Sequence, residues 1–212
     1  MTVERYADLA RQVLARPPRL GRTRLVAVDG PSGAGKTVFA TRLVAALDGA
    51  PVVHSDDLLA GWDDQFTFWS RLAEWVLGPL RAGGLARYRR YDWHRREFGP
   101  QWTELPPAPV VLLEGVSVAR AEIRPELTLA VLVTAPSGLR LARALARDGV
   151  TIRPYLENWR RGEDLHFRAD ATAEHADLLV DGAPETPHDP AVEYVRIDPA
   201  WTSRGGCGRI GG

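Results

Sequence analysis

The sequence predicts an α/β fold in which a mostly parallel sheet of about five strands lies between two layers of helices. Three observations predict it. Short apolar runs alternate with amphipathic stretches of helical period, the pattern of a parallel sheet covered on both faces. Three of the apolar runs stop abruptly at acidic residues, in Asp29-Gly30, Ser55-Asp56-Asp57 and Glu114-Gly115. The first run leads into Gly30-Pro31-Ser32-Gly33-Ala34-Gly35-Lys36-Thr37, which fits the pattern G-x-x-x-x-G-K-[ST] between a strand and a helix.

The elements follow in order. Val3, Tyr6, Leu9, Val13 and Leu14 predict a short docking helix over residues 2–16, ended by Pro17-Pro18. Leu25 to Val28 reads as a buried strand, and Val38, Phe39, Leu43, Val44 and Leu47 mark a helix over 36–47. A strand over 51–54 precedes a helix over 64–82 carrying Phe68, Leu72, Trp75, Val76 and Leu80 on or near one face. Strands are predicted at 110–113 and 127–133, and helices at about 137–147 and 154–167. Residues 177–180 and 192–197 are the last strand candidates. One domain therefore spans 1–201, and the glycine-rich residues 202–212, with Cys207, are expected to form a disordered tail.

Composition narrows the function classes. The 27 basic and 27 acidic residues cancel, which argues against a nucleic-acid partner or an acidic membrane. A single cysteine excludes a disulfide framework within the chain, and no apolar run is long enough to span a bilayer. A cytoplasmic location is the expectation. Every basic residue but one is arginine, and the exception is Lys36. Genome composition explains the arginines; it does not explain why a compact ammonium survives inside the glycine-rich motif.

That motif assigns the donor half of a site. Its glycines let backbone N–H groups turn toward phosphates at a helix N-terminus. Gly30, Ser32, Gly33, Ala34, Gly35, Lys36 and Thr37 are the candidate ATP-binding residues, with Lys36 reaching the β- and γ-phosphates and Thr37 ligating magnesium. The sandwich is thus of the P-loop NTPase type. Asp56 and Asp57 either cap a turn or act on an acceptor hydroxyl; Asp56 is the candidate base and Asp57 an acceptor-side contact. Glu114 is the candidate acidic group beside the metal, giving Thr37, Asp56 and Glu114 as the metal set. Arg140, Arg143 and Arg147 share a helix face, either a solvated basic face or a cationic lid over about 138–168. In that lid Arg140 is assigned to ATP, and Arg143 and Arg147 to catalysis; Asp148-Gly149 supplies a hinge, and Arg153, Arg160 and Arg161 are further candidates.

The acceptor half is sought between residues 56 and 102. Arg87 to Arg96 interleaves five arginines with Tyr88, Tyr91 and Trp93, a mixture that can stack on a ring and hold anions. Trp62, Asp63, Tyr91, Asp92, Trp93 and Arg95 are the acceptor candidates, whereas Trp69 and Trp75 read as core.

The stretches VAVDGPSGAGKT, HSDDLLAGWD, YRRYDW, VVLLEGV and LARALARDG, in this order over about residues 25–182, resemble the uridine kinase-like branch of the P-loop small-molecule kinases. The resemblance implies Asp56 as the acceptor-activating carboxylate, Glu114 organising magnesium, and Asp63 holding ribose hydroxyls. It also implies Tyr91 flanking the base, with Arg143 and Arg147 closing on the phosphates. This chain departs from the pattern on the acceptor side. Leu59 stands where an aromatic is usual, the gap from Asp56 to Trp62-Asp63 is short, and the histidine of YDWHRREF lies close to Tyr91-Asp92. The expected activity is transfer of the γ-phosphoryl of ATP to a small-molecule hydroxyl, a nucleoside first. A nucleoside monophosphate kinase, another small-molecule kinase and a nucleotide-driven regulatory ATPase are the alternatives. Oligomeric state stays open.

Overall fold

Alternation of side chains along the central strands decides the layering. A computed structural model describes residues 1–198. Its main sheet has seven strands: β1 (Thr2–Arg5), β2 (Arg24–Asp29), β3 (Val52–His54), β6 (Val110–Gly115), β7 (Leu127–Thr134), β8 (Leu178–Asp181) and β9 (Glu193–Arg196). They lie in the order β1-β9-β8-β7-β2-β6-β3. The five strands from β8 to β3 are mutually parallel, and β9 and β1 extend the far edge by antiparallel pairing. Leu25 and Ala27 of β2 point into one core with Val111 and Leu113 of β6, while Val26 and Val28 point into the other with Leu112. Both faces are buried, so every central strand reads as a continuous apolar run.

Helices α1 (Tyr6–Ala15) and α2 (Lys36–Ala46) cover the second face, where the rings of Tyr6, Phe39 and Tyr194 meet at centroid distances of 5.2–5.4 Å. The opposite face is covered by the segment from Leu58 to Tyr88. There α3 (Trp69–Leu72) runs through a π-turn at Ala73–Leu77 into α4 (Gly78–Arg81). Pro79 accounts for the widening: it cannot donate an N–H to the turn below, and its ring crowds that turn's carbonyl.

Two sequence expectations change. Residues 2–5 pair as a strand instead of starting the helix, because β9 offers them a free edge. Residues 86–105, to which the sequence assigned no element, form an antiparallel hairpin of β4 (Ala86–Asp92) and β5 (Glu97–Leu105). Arginines at 87, 89 and 90 hid the strand's alternation, which survives only as buried Ala86 and Tyr88.

The arginine-rich arm is α5 (Ser137–Asp148), ended by Gly149 at φ 87°, followed by α6 (Arg153–Ala169) and the short α7 (Thr172–His175). α6 buries Leu156, Trp159 and Glu163, and a Cβ on its Gly162 would approach Gln65 Oε1 to 2.3 Å. This helix is packed onto the body along its middle turns. The expected tail, residues 202–212 with Cys207, lies outside the described residues. Among the described residues no helix is long and apolar enough to cross a membrane.

Candidate active site

The carboxyl ends of β2, β6 and β3 lie side by side, so the three acidic strand ends converge as a parallel sheet requires. Glu114 stands in register with Val28 on one side and His54 on the other. Gly115 makes the closeness possible: at φ 153° a Cβ there would fall 1.8 Å from Ser55 Oγ. We expect Gly115→Ala to destabilise the protein by about 1–3 kcal/mol through overpacking. It should also lower turnover by displacing Ser55-Asp56, as read from urea unfolding and kcat of the same preparation.

The glycine-rich loop leaves β2 at Asp29. Gly33 (φ 76°) and Gly35 (φ 103°) take left-handed conformations, and α2 begins at Lys36. Gly33 also packs where no side chain fits, since a Cβ would meet Arg140 O at 2.3 Å. Lys36 is buried with Nζ 3.2 Å from Pro31 O. Asp29 is fully buried, and its carboxylate accepts from the N–H groups of Gly30 (2.7 Å), Ser117 (2.8 Å) and Ala119 (2.8 Å). Burial pushes its pKa up to about 6 against these hydrogen bonds and the charge of Lys36. It ties the loop's first residue to the segment after Glu114.

Thr37 Oγ1 donates to Glu114 Oε1 at 3.2 Å, and His54 Nδ1 lies 2.7 Å from Glu114 Oε2. Burial pushes the Glu114 carboxyl up, but the His54 hydrogen bond and the charges of Lys36 and His54 outweigh it, so the group sits below the ordinary glutamate value. The same hydrogen bond, chiefly, raises His54. Asp56 reaches solvent, yet the protein crowds it on most sides. That crowding raises its pKa; Lys36 opposes the rise, Glu114 adds to it, and Arg147 and His54 oppose it. Asp56, Glu114, Lys36 and Arg147 thus share one electrostatic neighbourhood. Among the described residues no three His, Cys, Asp or Glu side chains cluster as a metal site. The hard oxygens of Thr37, Glu114 and Asp56 suit magnesium, a cation that keeps waters and leans on substrate phosphates.

Several acceptor-side candidates are engaged elsewhere. Asp57 pairs with Arg90 at 3.3 Å. Asp92 accepts from the N–H groups of His94 and Arg95, closing the hairpin turn, and Arg95 lies 3.9 Å from it. Asp92 thus forms the turn, because an aspartate side chain readily bonds the backbone two and three residues ahead. Asp63 is exposed, whereas its neighbour Asp64 is buried, bonded to Thr67 and Arg71 and to the N–H of Ala60. Trp93 Nε1 donates to Asp56 O at 3.2 Å. Its ring lies 5.3 Å from Tyr91 and 5.4 Å from Trp62, which stacks on Tyr155 of α6 at 5.9 Å and touches Trp159 at 5.7 Å. Trp62, Tyr91 and Trp93 therefore form one aromatic wall beside Asp56.

The arginine face divides. Arg140 is 3% exposed, donates to Ala135 O at 3.1 Å and lies 3.8 Å from Glu163. It supports the loop from beneath, unlike the open, nucleotide-facing position that helical spacing suggested. Arg143 donates to Gly33 O (3.3 Å) and Gly182 O (3.0 Å), and Arg147 is held by Asp148 through two hydrogen bonds of 2.7–2.8 Å. Sequence reasoning gave no role to His54 or Asp29, although both stand at strand ends. Glu163 carried no local signal at all.

No protein-family model matches the chain. Among curated proteins it is similar to a uridine kinase of Borrelia turicatae, 26% identical over 194 residues that cover 81% of this chain and 91% of that protein. An inorganic pyrophosphatase of Arabidopsis thaliana is 31% identical over 133 residues, 58% of this chain and 20% of that protein. A solved structure of a possible uridine kinase from Bacillus stearothermophilus shares the fold with a TM-score of 0.62 at 20% identity, covering 82% of this chain and 96% of that one.

Proposed function

We propose that this uridine kinase-like chain moves the γ-phosphoryl group of ATP to a hydroxyl of a small molecule, a nucleoside such as uridine or cytidine first. The observation that carries the reading is the grouping of Asp56, just past β3, with Glu114 at the end of β6, Lys36 at the start of α2 and Arg147 in the last turn of α5. A carboxylate open to solvent, raised in pKa and walled by protein is suited to take an acceptor's proton.

In this reading the N–H groups of the phosphate loop and Lys36 bind the triphosphate and meet the charge that builds on the transferring group. Thr37, with Glu114 and Asp56, would hold magnesium, which supplies charge neutralisation to the phosphate oxygens. Asp56 orients the acceptor hydroxyl and takes its proton as the O–P bond forms; the γ-phosphoryl leaves ADP. His54 fixes the orientation of Glu114. The wall of Trp62, Tyr91 and Trp93 holds an acceptor's apolar or ring face.

A phosphate-bearing acceptor, as in a monophosphate kinase, finds less support. Arg87 pairs with Glu104 at 2.9 Å, Arg89 stacks on Trp102 at 4.7 Å, and Arg90 and Arg95 have carboxylate partners, so most of the hairpin's charge is already matched.

Incubation with Mg-ATP and a panel of nucleosides, nucleoside monophosphates and sugar alcohols tests the proposal. ADP release should depend on an acceptor, with a nucleoside giving the fastest transfer. Equal release without any acceptor would replace the kinase by a hydrolase.

A further inference from the structure

Glu163 sits in the middle of α6, and its side chain is 0% exposed. A carboxylate taken out of water is destabilising unless partners replace the lost solvation. Its Oε1 has three: the N–H of Ser32 at 2.8 Å, the Ser32 hydroxyl at 2.6 Å and Trp159 Nε1 at 2.8 Å. Among the described residues its Oε2 makes no hydrogen bond, and it faces Arg140 Nη1 at 3.8 Å, an atom likewise without one. Ser32 is the third residue of the phosphate-binding loop. The next residue, Gly33, rests on the Arg140 backbone, and its carbonyl accepts from Arg143. Residues 32 and 33 are thus held from α5 and α6 together.

The indole of Trp159 needs only one acceptor, which a neutral side chain could supply. The convergence on Ser32 is what calls for a strong, two-donor acceptor in that place. The geometry points to Glu163 as a positioning residue for the phosphate-binding loop, an inference that rests on the loop holding the triphosphate of ATP. By drawing the Ser32 N–H toward α6, Glu163 fixes the loop's third residue. The N–H groups from Gly33 to Thr37 are then set, before ATP arrives, in the arrangement that the phosphates require. Charged acceptors make hydrogen bonds roughly twice as strong as neutral ones, so a glutamine retains only part of this hold.

The test measures the Kd of ATP and of the acceptor, together with KM and kcat, for wild type, Glu163→Gln and Glu163→Ala, with circular dichroism to establish the folded fraction. Glu163→Ala leaves two Ser32 donors unpartnered, and its ATP Kd and KM should rise about tenfold. Glu163→Gln should rise about threefold, and the acceptor Kd should stay unchanged in both. If Glu163→Ala does not fold, Glu163→Gln decides alone. An unchanged ATP Kd in folded variants overturns the inference. So does equal weakening of ATP and acceptor, which a purely structural role would give. Wild-type protein that binds no ATP, or Lys36→Ala that binds it undiminished, would instead refute the reading of the loop.

Discussion

Asp56→Asn is expected to lower kcat for phosphoryl transfer by about 10²- to 10⁴-fold, the range that a general base supplies. The asparagine keeps the volume and leaves the Trp93 bond intact, because that bond goes to the Asp56 backbone carbonyl. It removes the charge that the surrounding protein and Glu114 destabilise and Lys36 favours. Proton acceptance is therefore lost with little change in shape. Measured under saturating Mg-ATP, the variant should stay folded and fail at turnover. Full turnover in Asp56→Asn would remove the proposed base.

Lys36→Ala is expected to cost about 10²- to 10³-fold in kcat, the scale seen when one group that stabilises transition-state charge is removed. The fold should be unaffected, since among the described residues the Lys36 ammonium has only the Pro31 carbonyl, at 3.2 Å, as a hydrogen-bond partner. Lys36→Arg should fail nearly as badly, because a planar guanidinium cannot enter the space of an ammonium between phosphates. Unfolding in urea and turnover on one preparation separate the two effects. Loss of stability equal to the loss of activity would argue that Lys36 is structural.

Much of this architecture was legible because it is written in contiguous residues. The glycine motif, its flanking strand and its helix occupy 25–47 without interruption, and the structure gives β2, the loop and α2 in that order. The acidic ends of β2, β3 and β6 were legible for the same reason. What failed was local polarity used as a guide to shape. The arginines from 87 to 96 read as groups able to hold anions, but Arg87 and Arg89 lie in a strand paired with residues 97–105, and stacking or carboxylates take the side chains of Arg87, Arg89 and Arg90. Helical spacing put Arg140, Arg143 and Arg147 on one helix, as α5 does, yet could not say that α5 presses Arg140 into the interior.

The sequence by itself determined the α/β sandwich, the glycine-rich turn between β2 and α2 and the acidic ends of three strands, since each depends on periodicity or on neighbours within a few residues. Tertiary structure alone decided which side chain meets which. Asp29 finds Ser117 and Ala119 at separations of 88 and 90 residues, and Glu163 reaches Ser32 across 131. Such pairs leave no periodic trace, because a buried carboxylate selects its donors by position in space after the chain has folded.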